Sequence, residues 1–169
     1  AQCIVAIETD YAASLRKRRH PLLGHATINT GTIRGGAQPN IVPDRCEADL
    51  DRRTLPGETF ANIRRELLGV LARRGLKAKL IDVKGFTCPA LETDPGLPWV
   101  RDFMRAARQR KPLGVDYYCD AANLAGAGIP TVVWGPGDIA QAHTADEWIT
   151  LEQLERGTDM LTRFLLSLP

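Results

Sequence analysis

The chain has 169 residues, of which 44% are hydrophobic and 25% charged, and its formal net charge at pH 7 is +2. This composition is that of a globular protein able to bury a core in one domain or two small ones, and the charge is too small to predict nucleic acid as a partner. No apolar run approaches the ~20 residues of a membrane span and no signal-peptide pattern opens the chain, so we expect no membrane partner.

The chain opens with a predicted helix over residues 1–18, whose apolar residues lie near one helical face: Ile4, Ile7 and Leu15. Residues 16–19 are all basic, and Pro21 forbids continuation of the helix. Such a basic run occurs in nucleic-acid or targeting patches, but it also fits cations at a helix C-terminus, where the macrodipole favours them by ~0.3–1 kcal/mol. We favour the second interpretation.

Two strands, a helix and a third strand are predicted next. Residues 26–34 alternate loosely, and residues 45–53 alternate well enough to predict a half-buried strand of an antiparallel pair. Thr59 is the expected N-cap of an amphipathic helix that Gly75 ends. Residues 76–83 predict the third strand, so the first half should form a sheet with two helices on one face.

The second half predicts a helix over residues 97–109, a short buried strand over 129–134 and a last helix over 151–167. A capping box of Thr150 with Gln153 predicts where the last helix begins. Its leucines are predicted to form the buried face: Leu151, Leu154, Leu161, Leu165 and Leu168.

His143 is the residue that most suggests chemistry. It follows the predicted strand 129–134 and the turn Gly135-Pro136-Gly137, and α/β proteins place functional loops just past the C-terminal ends of buried strands. A lone histidine is nevertheless more often a structural or surface residue, and the other two, His20 and His25, lie far upstream. The residues alone therefore leave its role open.

The four cysteines are single and widely spaced: Cys3, Cys46, Cys88 and Cys119. This pattern favours free thiols in a reducing, cytoplasmic compartment over a disulfide framework.

Two blocks of short motifs keep a common order and spacing along nearly the whole chain. The first comprises residues 31–36, 40–44, 51–53 and 56–58, and the second comprises residues 120–122, 128–130, 135–137 and 142–147. Together they resemble the two-zinc amidohydrolases and exopeptidases, the family of acetylornithine deacetylase, succinyl-diaminopimelate desuccinylase, aminoacylase and carboxypeptidase G.

The resemblance implies an α/β fold class in two parts. Residues 1–84 would be the lid, or dimerisation, domain, an α+β sandwich of a sheet and two helices without its first strand. Residues 85–169 would be the C-terminal α/β part of a metallopeptidase catalytic domain. Most metal ligands of the family and its general-base glutamate would lie upstream of Ala1, so the resemblance places no catalytic residue in this chain.

Three residues receive roles from the resemblance. His143 would bind one of two zinc ions, for which cobalt or manganese could substitute. Arg53 would grip the substrate carboxylate in a two-pronged hydrogen bond, and Asn40 would donate from its side-chain amide. The alternative for Arg53 is an exposed strand arginine paired with Asp51 or Glu47. Arg52 would face the other side of the strand, and a register error of one residue would exchange the two arginines.

The resemblance therefore predicts a fragment of a two-zinc hydrolase that cleaves amide bonds of N-acyl amino acids or small peptides and is inactive as this chain alone. Its expected partners are the small substrate and a second copy bound through the lid domain. The alternative is a non-catalytic dimerisation or interaction module.

Overall fold

A computed structural model of the chain describes residues 1–82 and 89–169 and divides it into two compact units. The first unit comprises Ala1–Ala90 with Gly114–Tyr118, and the second comprises Leu91–Leu113 with Cys119–Pro169. The predicted domain boundary between residues 84 and 85 falls outside the described residues and stays a prediction. None of the helices in the described part combines the length and the apolar character needed to cross a membrane.

The first unit begins with a continuous helical segment. It consists of α1 (Gln2–Ala6), a π-helical turn (Ile7–Tyr11) and α2 (Ala12–Leu15), which confirms the predicted helix. A π turn widens the helix by one residue. The segment buries four side chains almost completely: Ala6, Ile7, Tyr11 and Leu15.

A two-stranded antiparallel sheet follows, formed by β1 (Thr27–Gly35) and β2 (Cys46–Arg53). The pairing has a β-bulge between Thr30 and Thr32. Next comes α3 (Phe60–Arg73), which begins as predicted at Thr59, whose hydroxyl accepts the N–H of Asn62 at 3.3 Å. The π-helical turn packs against both α3 and β1. One core joins these elements: Ala6, Ile7, Tyr11, Leu15, Ala26, Ile28, Ile63, Leu67, Val70 and Leu71.

The predicted strand over residues 76–83 was wrong for its described part, because residues 76–82 form no strand. A strand exists only by pairing with a neighbour, and among the described residues the sheet has two strands. Leu76 and Leu80 still pack against the core, and the Arg64 guanidinium donates to the Leu80 carbonyl at 2.7 Å. These two leucines therefore contribute to the core without belonging to a strand.

The second unit contains α4 (Pro98–Ala106), α5 (Ala121–Gly126), a short 3-10 helix (Ile139–Gln141) and α6 (Leu151–Leu166). The capping box of Thr150 with Gln153 is present as predicted. Helix α4 packs against α6 through aromatic side chains. The Phe103 ring lies edge-to-face with Phe164 at 4.9 Å and with Trp134 at 6.0 Å between ring centroids.

Two predictions for the second unit were wrong. Residues 129–134 form no strand; instead the Thr93 hydroxyl accepts the N–H of Thr131 at 3.1 Å and donates to its carbonyl at 2.5 Å. The buried residues of α6 are Gly157, Met160 and Phe164. The predicted leucines are 38–78% exposed: Leu151, Leu154, Leu161, Leu165 and Leu168. The leucines and the buried residues each form a stripe with helical spacing along α6. The second stripe is the buried one because Phe164 packs against Phe103 of α4.

Candidate functional site

The loop that carries His143 is built from local hydrogen bonds. Gly137 has a φ of 96°, a left-handed conformation that favours glycine, and it ends the Gly135-Pro136-Gly137 turn. The Asp138 carboxylate then accepts the N–H of Ala140 at 2.9 Å and so begins the 3-10 helix. His143 follows directly after Ala142, the C-cap of that helix.

His143 itself has a left-handed backbone with a φ of 64°, one of two described residues other than glycine with a positive φ. This conformation costs a non-glycine residue about 1–2 kcal/mol and persists only where surrounding contacts hold it. One such contact is the Glu147 carboxylate, which accepts the backbone N–H of His143 at 3.0 Å. Backbone strain of this kind is concentrated at functional sites, which favours a role for this residue.

The His143 side chain is exposed, and no hydrogen bond to its imidazole occurs within the described part of the chain. A neutral imidazole is a good zinc ligand, so His143 fits the role of one donor. The described residues contain no group of three or more histidine, cysteine, aspartate or glutamate side chains placed to hold a metal ion. Glu147, next to the candidate ligand, supports the loop by accepting a backbone N–H.

Arg53 and Asn40 lie in the first unit. Arg53 ends β2 and pairs with Thr27, whereas the exposed Asn40 lies in the loop that joins the strands at the other end of the sheet. The Arg53 side chain is 59% exposed, and its guanidinium donates to the Asp51 carboxylate at 3.1 Å. Arg53 thus forms the ion pair with Asp51 that was the alternative to substrate binding. Within the described residues, no hydrogen bond joins Arg53 to Asn40.

Arg52 faces the opposite side of β2, as the alternation predicts, and its side chain is only 8% exposed. Its guanidinium donates to Glu58 at 2.7 Å and to the Tyr11 hydroxyl at 3.3 Å, and it lies 5.8 Å from the centroid of the Tyr11 ring. The second carboxylate oxygen of Glu58 accepts the N–H of Leu55 at 2.8 Å. This arrangement anchors β2, and with it the direction in which Arg53 points.

Sequence reasoning missed this buried network. Tyr11 occupies the position between Ile7 and Leu15 on the predicted buried helical face, so helical spacing could have revealed it. The sequence places Glu58 only in the short motif of residues 56–58. That it meets Arg52 depends on how the turn folds, which spacing does not show.

Glu66 extends the network to the surface. Both oxygens of its carboxylate accept hydrogen bonds from Arg18, at 2.9 and 2.8 Å, and the Tyr11 hydroxyl donates to it at 3.3 Å. The Arg18 hydrogen bonds hold the pKa of Glu66 below its ordinary value of 4.5, against the opposing effect of desolvation. Burial raises the pKa of the Tyr11 hydroxyl above its ordinary value of 10.0.

The lowered pKa of Glu66 predicts an acid-dependent contribution to stability. A carboxyl group whose folded pKa lies below its unfolded pKa stabilises the protein above the unfolded value, and this contribution is lost as pH falls through the folded value. The stability difference between the wild type and Glu66→Gln should therefore be largest at neutral pH and shrink below about pH 4.5. Urea denaturation from pH 7 to pH 3 measures it. Arg18→Met should likewise reduce the pH dependence of the free energy of unfolding. A stability difference between the wild type and Glu66→Gln that stays constant with pH would contradict the lowered pKa of Glu66.

Comparison with known proteins gives matches along both units. Residues 9–79 match the peptidase dimerisation domain. The chain is 32% identical over 175 residues to an N-acetyl-L-citrulline deacetylase of Xanthomonas campestris pv. campestris, an alignment covering 92% of this chain and 43% of that protein. It is 31% identical over 144 residues to an acetylornithine deacetylase of Myxococcus xanthus, covering 81% of this chain and 37% of that protein.

A further relative is an N-formyl-4-amino-5-aminomethyl-2-methylpyrimidine deformylase of Bacillus subtilis, 29% identical over 164 residues, with 85% of this chain and 38% of that protein covered. The chain thus spans about two fifths of the length of the curated relatives it matches.

Proposed function

Because this chain belongs to the amidohydrolase and exopeptidase family of acetylornithine deacetylase, we propose that it is part of a longer two-zinc hydrolase. The longer protein would cleave amide bonds of N-acyl amino acids or small peptides, and this chain alone would be inactive. The observation that carries the proposal is the similarity to two deacetylases and a deformylase over 81–92% of this chain but only 37–43% of their lengths. Residues 1–84 are assigned as the lid domain and residues 85–169 as the C-terminal part of the catalytic domain.

His143 is proposed as one metal ligand. Its imidazole is exposed, the backbone that carries it has a strained left-handed conformation, and the described residues supply no complete ligand group beside it. A catalytic zinc takes about three protein ligands, so the other donors would come from the rest of the longer protein. When bound, two metals would activate a water and polarise the amide carbonyl. Zinc is the proposed metal, and cobalt or manganese could replace it.

Arg53 and Asn40 are proposed to bind the substrate. Arg53 is exposed, and its partner in this chain is a carboxylate, the kind of group that it would grip on an N-acyl amino acid. An exposed ion pair of this kind contributes only ~0–1 kcal/mol, so a substrate carboxylate could replace Asp51 at little cost. The side-chain amide of Asn40 would donate the second polar contact.

The lid domain is proposed to form a homodimer, and its match to a peptidase dimerisation domain supports this. The same match favours the second candidate function, a non-catalytic dimerisation module, because it is confined to residues 9–79. The described cysteines, Cys3, Cys46 and Cys119, are free thiols, which supports the proposed cytoplasmic location.

Metal binding and hydrolysis test the proposal. The 169-residue chain should bind zinc only weakly, as a single imidazole does, and should cleave no N-acetyl amino acid. In the longer protein His143→Ala should remove one of two metals and most of the turnover, whereas His25→Ala, an exposed histidine of the first unit, should change neither. Metal content by mass spectrometry and deacetylation of a substrate panel provide the measurements. Chelator-sensitive cleavage by the 169-residue chain alone would refute the ligand assignment, and a longer protein that binds no metal would favour the dimerisation module.

A further inference from the structure

Helix α6 meets the loop of the candidate site at a glycine. Gly157 is buried in the middle of the helix, and a Cβ placed on it would lie 2.8 Å from the Cβ and 3.1 Å from the Cγ of Pro136. The same Cβ would lie 3.4 Å from Cη2 of Trp134. Real Cβ atoms do not approach other carbons to 2.8 Å, so the Trp134-Gly135-Pro136 segment rests on α6 at a distance that only glycine permits.

This close approach explains a residue that helix propensity disfavours. Glycine within a helix costs roughly 1 kcal/mol relative to alanine, and Gly157 has no positive φ that would require it. Gly69 in α3 is the contrasting case, since a Cβ there would have Nη1 of Arg73 as its nearest neighbour, at an ordinary 3.8 Å. Gly157 therefore differs from Gly69 in that its surroundings leave no room for a Cβ atom.

The segment resting on Gly157 leads directly to His143. A Cβ on Gly137 would lie 3.4 Å from Cδ1 of Ile149, so the turn also has a close neighbour in the residues that lead into α6. From Gly137 the path to His143 is six residues long and includes the Asp138 cap and the 3-10 helix. The Gln141 carbonyl accepts both the N–H and the hydroxyl of Thr144, at 3.2 and 2.8 Å. A shift of the turn on α6 would therefore move the base of the loop that presents the imidazole.

We propose that Gly157 is a positioning residue for His143: the missing side chain seats the Trp134–Pro136 segment on α6 and so sets where the imidazole is presented. This inference rests on the proposed function, in which His143 is a metal ligand. Removing a residue that hydrogen-bonds to a metal ligand typically lowers metal affinity about 10–100-fold, because the ligand is then less well oriented. We expect packing that orients the ligand to act in the same way.

The test uses the longer protein loaded with cobalt(II). Gly157→Ala should weaken the binding of one of the two metals at least about tenfold in competition with a chromophoric chelator. It should also change the cobalt absorption spectrum, which a purely structural effect elsewhere would leave as it is. Gly69→Ala is the matched control, a mid-helix glycine to alanine change without a close contact, and it should alter neither the affinity nor the spectrum.

The outcomes separate this inference from the function on which it rests. If His143→Ala loses one metal but Gly157→Ala binds both as the wild type does, the positioning role is overturned. If His143→Ala itself keeps both metals, the proposed function fails and this inference fails with it. If Gly157→Ala does not fold, Pro136→Ala reduces the same contact from the loop side, and unchanged metal affinity in that variant overturns the proposal.

Discussion

Replacing Arg52 by methionine should lower the free energy of unfolding by up to about 3–5 kcal/mol, since the buried Glu58 carboxylate would keep only its longer contact with the more exposed Arg18 guanidinium, at 3.5 Å. The side chains of Arg52 and Glu58 are only 8% and 13% exposed, and their atoms approach to 2.7 Å. The substitution also removes the hydrogen bond to the Tyr11 hydroxyl and the cation that lies over the Tyr11 ring. Urea denaturation of the 169-residue chain, followed by circular dichroism, measures the loss.

The neighbouring arginine provides the control. Arg53→Met removes the same charge from the same strand, but Arg53 and Asp51 are 59% and 56% exposed, so the expected change is ~0–1 kcal/mol. The double variant Arg52→Met with Glu58→Gln should recover part of the stability because no buried charge then lacks a partner. Equal losses for Arg52→Met and Arg53→Met would show that the direction of the two side chains on β2 is misassigned.

In the longer protein, Arg53→Ala should reduce kcat/KM by an amount equivalent to about 2–5 kcal/mol of transition-state binding, provided the contact with the substrate carboxylate is buried in the complex. The physical reason is that the proposed two-pronged, charge-assisted hydrogen bond to the substrate carboxylate would be lost. The stability of the protein should hardly change, because the ion pair of Arg53 in this structure is exposed. Steady-state kinetics with an N-acyl amino acid and its carboxamide analogue measure the effect, which should be confined to the carboxylate substrate.

Two further variants distinguish substrate binding from a surface ion pair. Asp51→Asn removes the partner that Arg53 has here but keeps the guanidinium, so it should leave kcat/KM nearly unchanged. Arg52→Ala, compared at conditions where it is fully folded, should impair substrate use far less than Arg53→Ala. Small and equal effects of Arg53→Ala and Arg52→Ala would favour the surface ion pair and remove Arg53 from the substrate site.

Features set by neighbours along the chain could be predicted from the sequence. The N-cap of α3 depends on Thr59 and Asn62, and the capping box of α6 on Thr150 and Gln153, residues within one helical turn of each other. The opposite directions of Arg52 and Arg53 follow from the two-residue period of a strand. The placement of His143 in a loop after a glycine-rich turn is likewise local, because glycine and proline dictate the turn.

Features that need a partner distant in the sequence were decided by the tertiary structure. Residues 76–82 and 129–134 have apolar patterns typical of strands, but pairing needs a neighbouring edge, and among the described residues none pairs with them. Likewise, α6 carries two stripes of side chains with helical spacing, and the stripe containing Phe164 is buried because Phe164 packs against the Phe103 ring of α4. The anchoring of β2 by Arg52 joins residues 41 positions apart, and the close approach of Pro136 to Gly157 joins two elements through space. Sequence spacing fixes which side chains share a face, whereas burial depends on which other surface packs against that face.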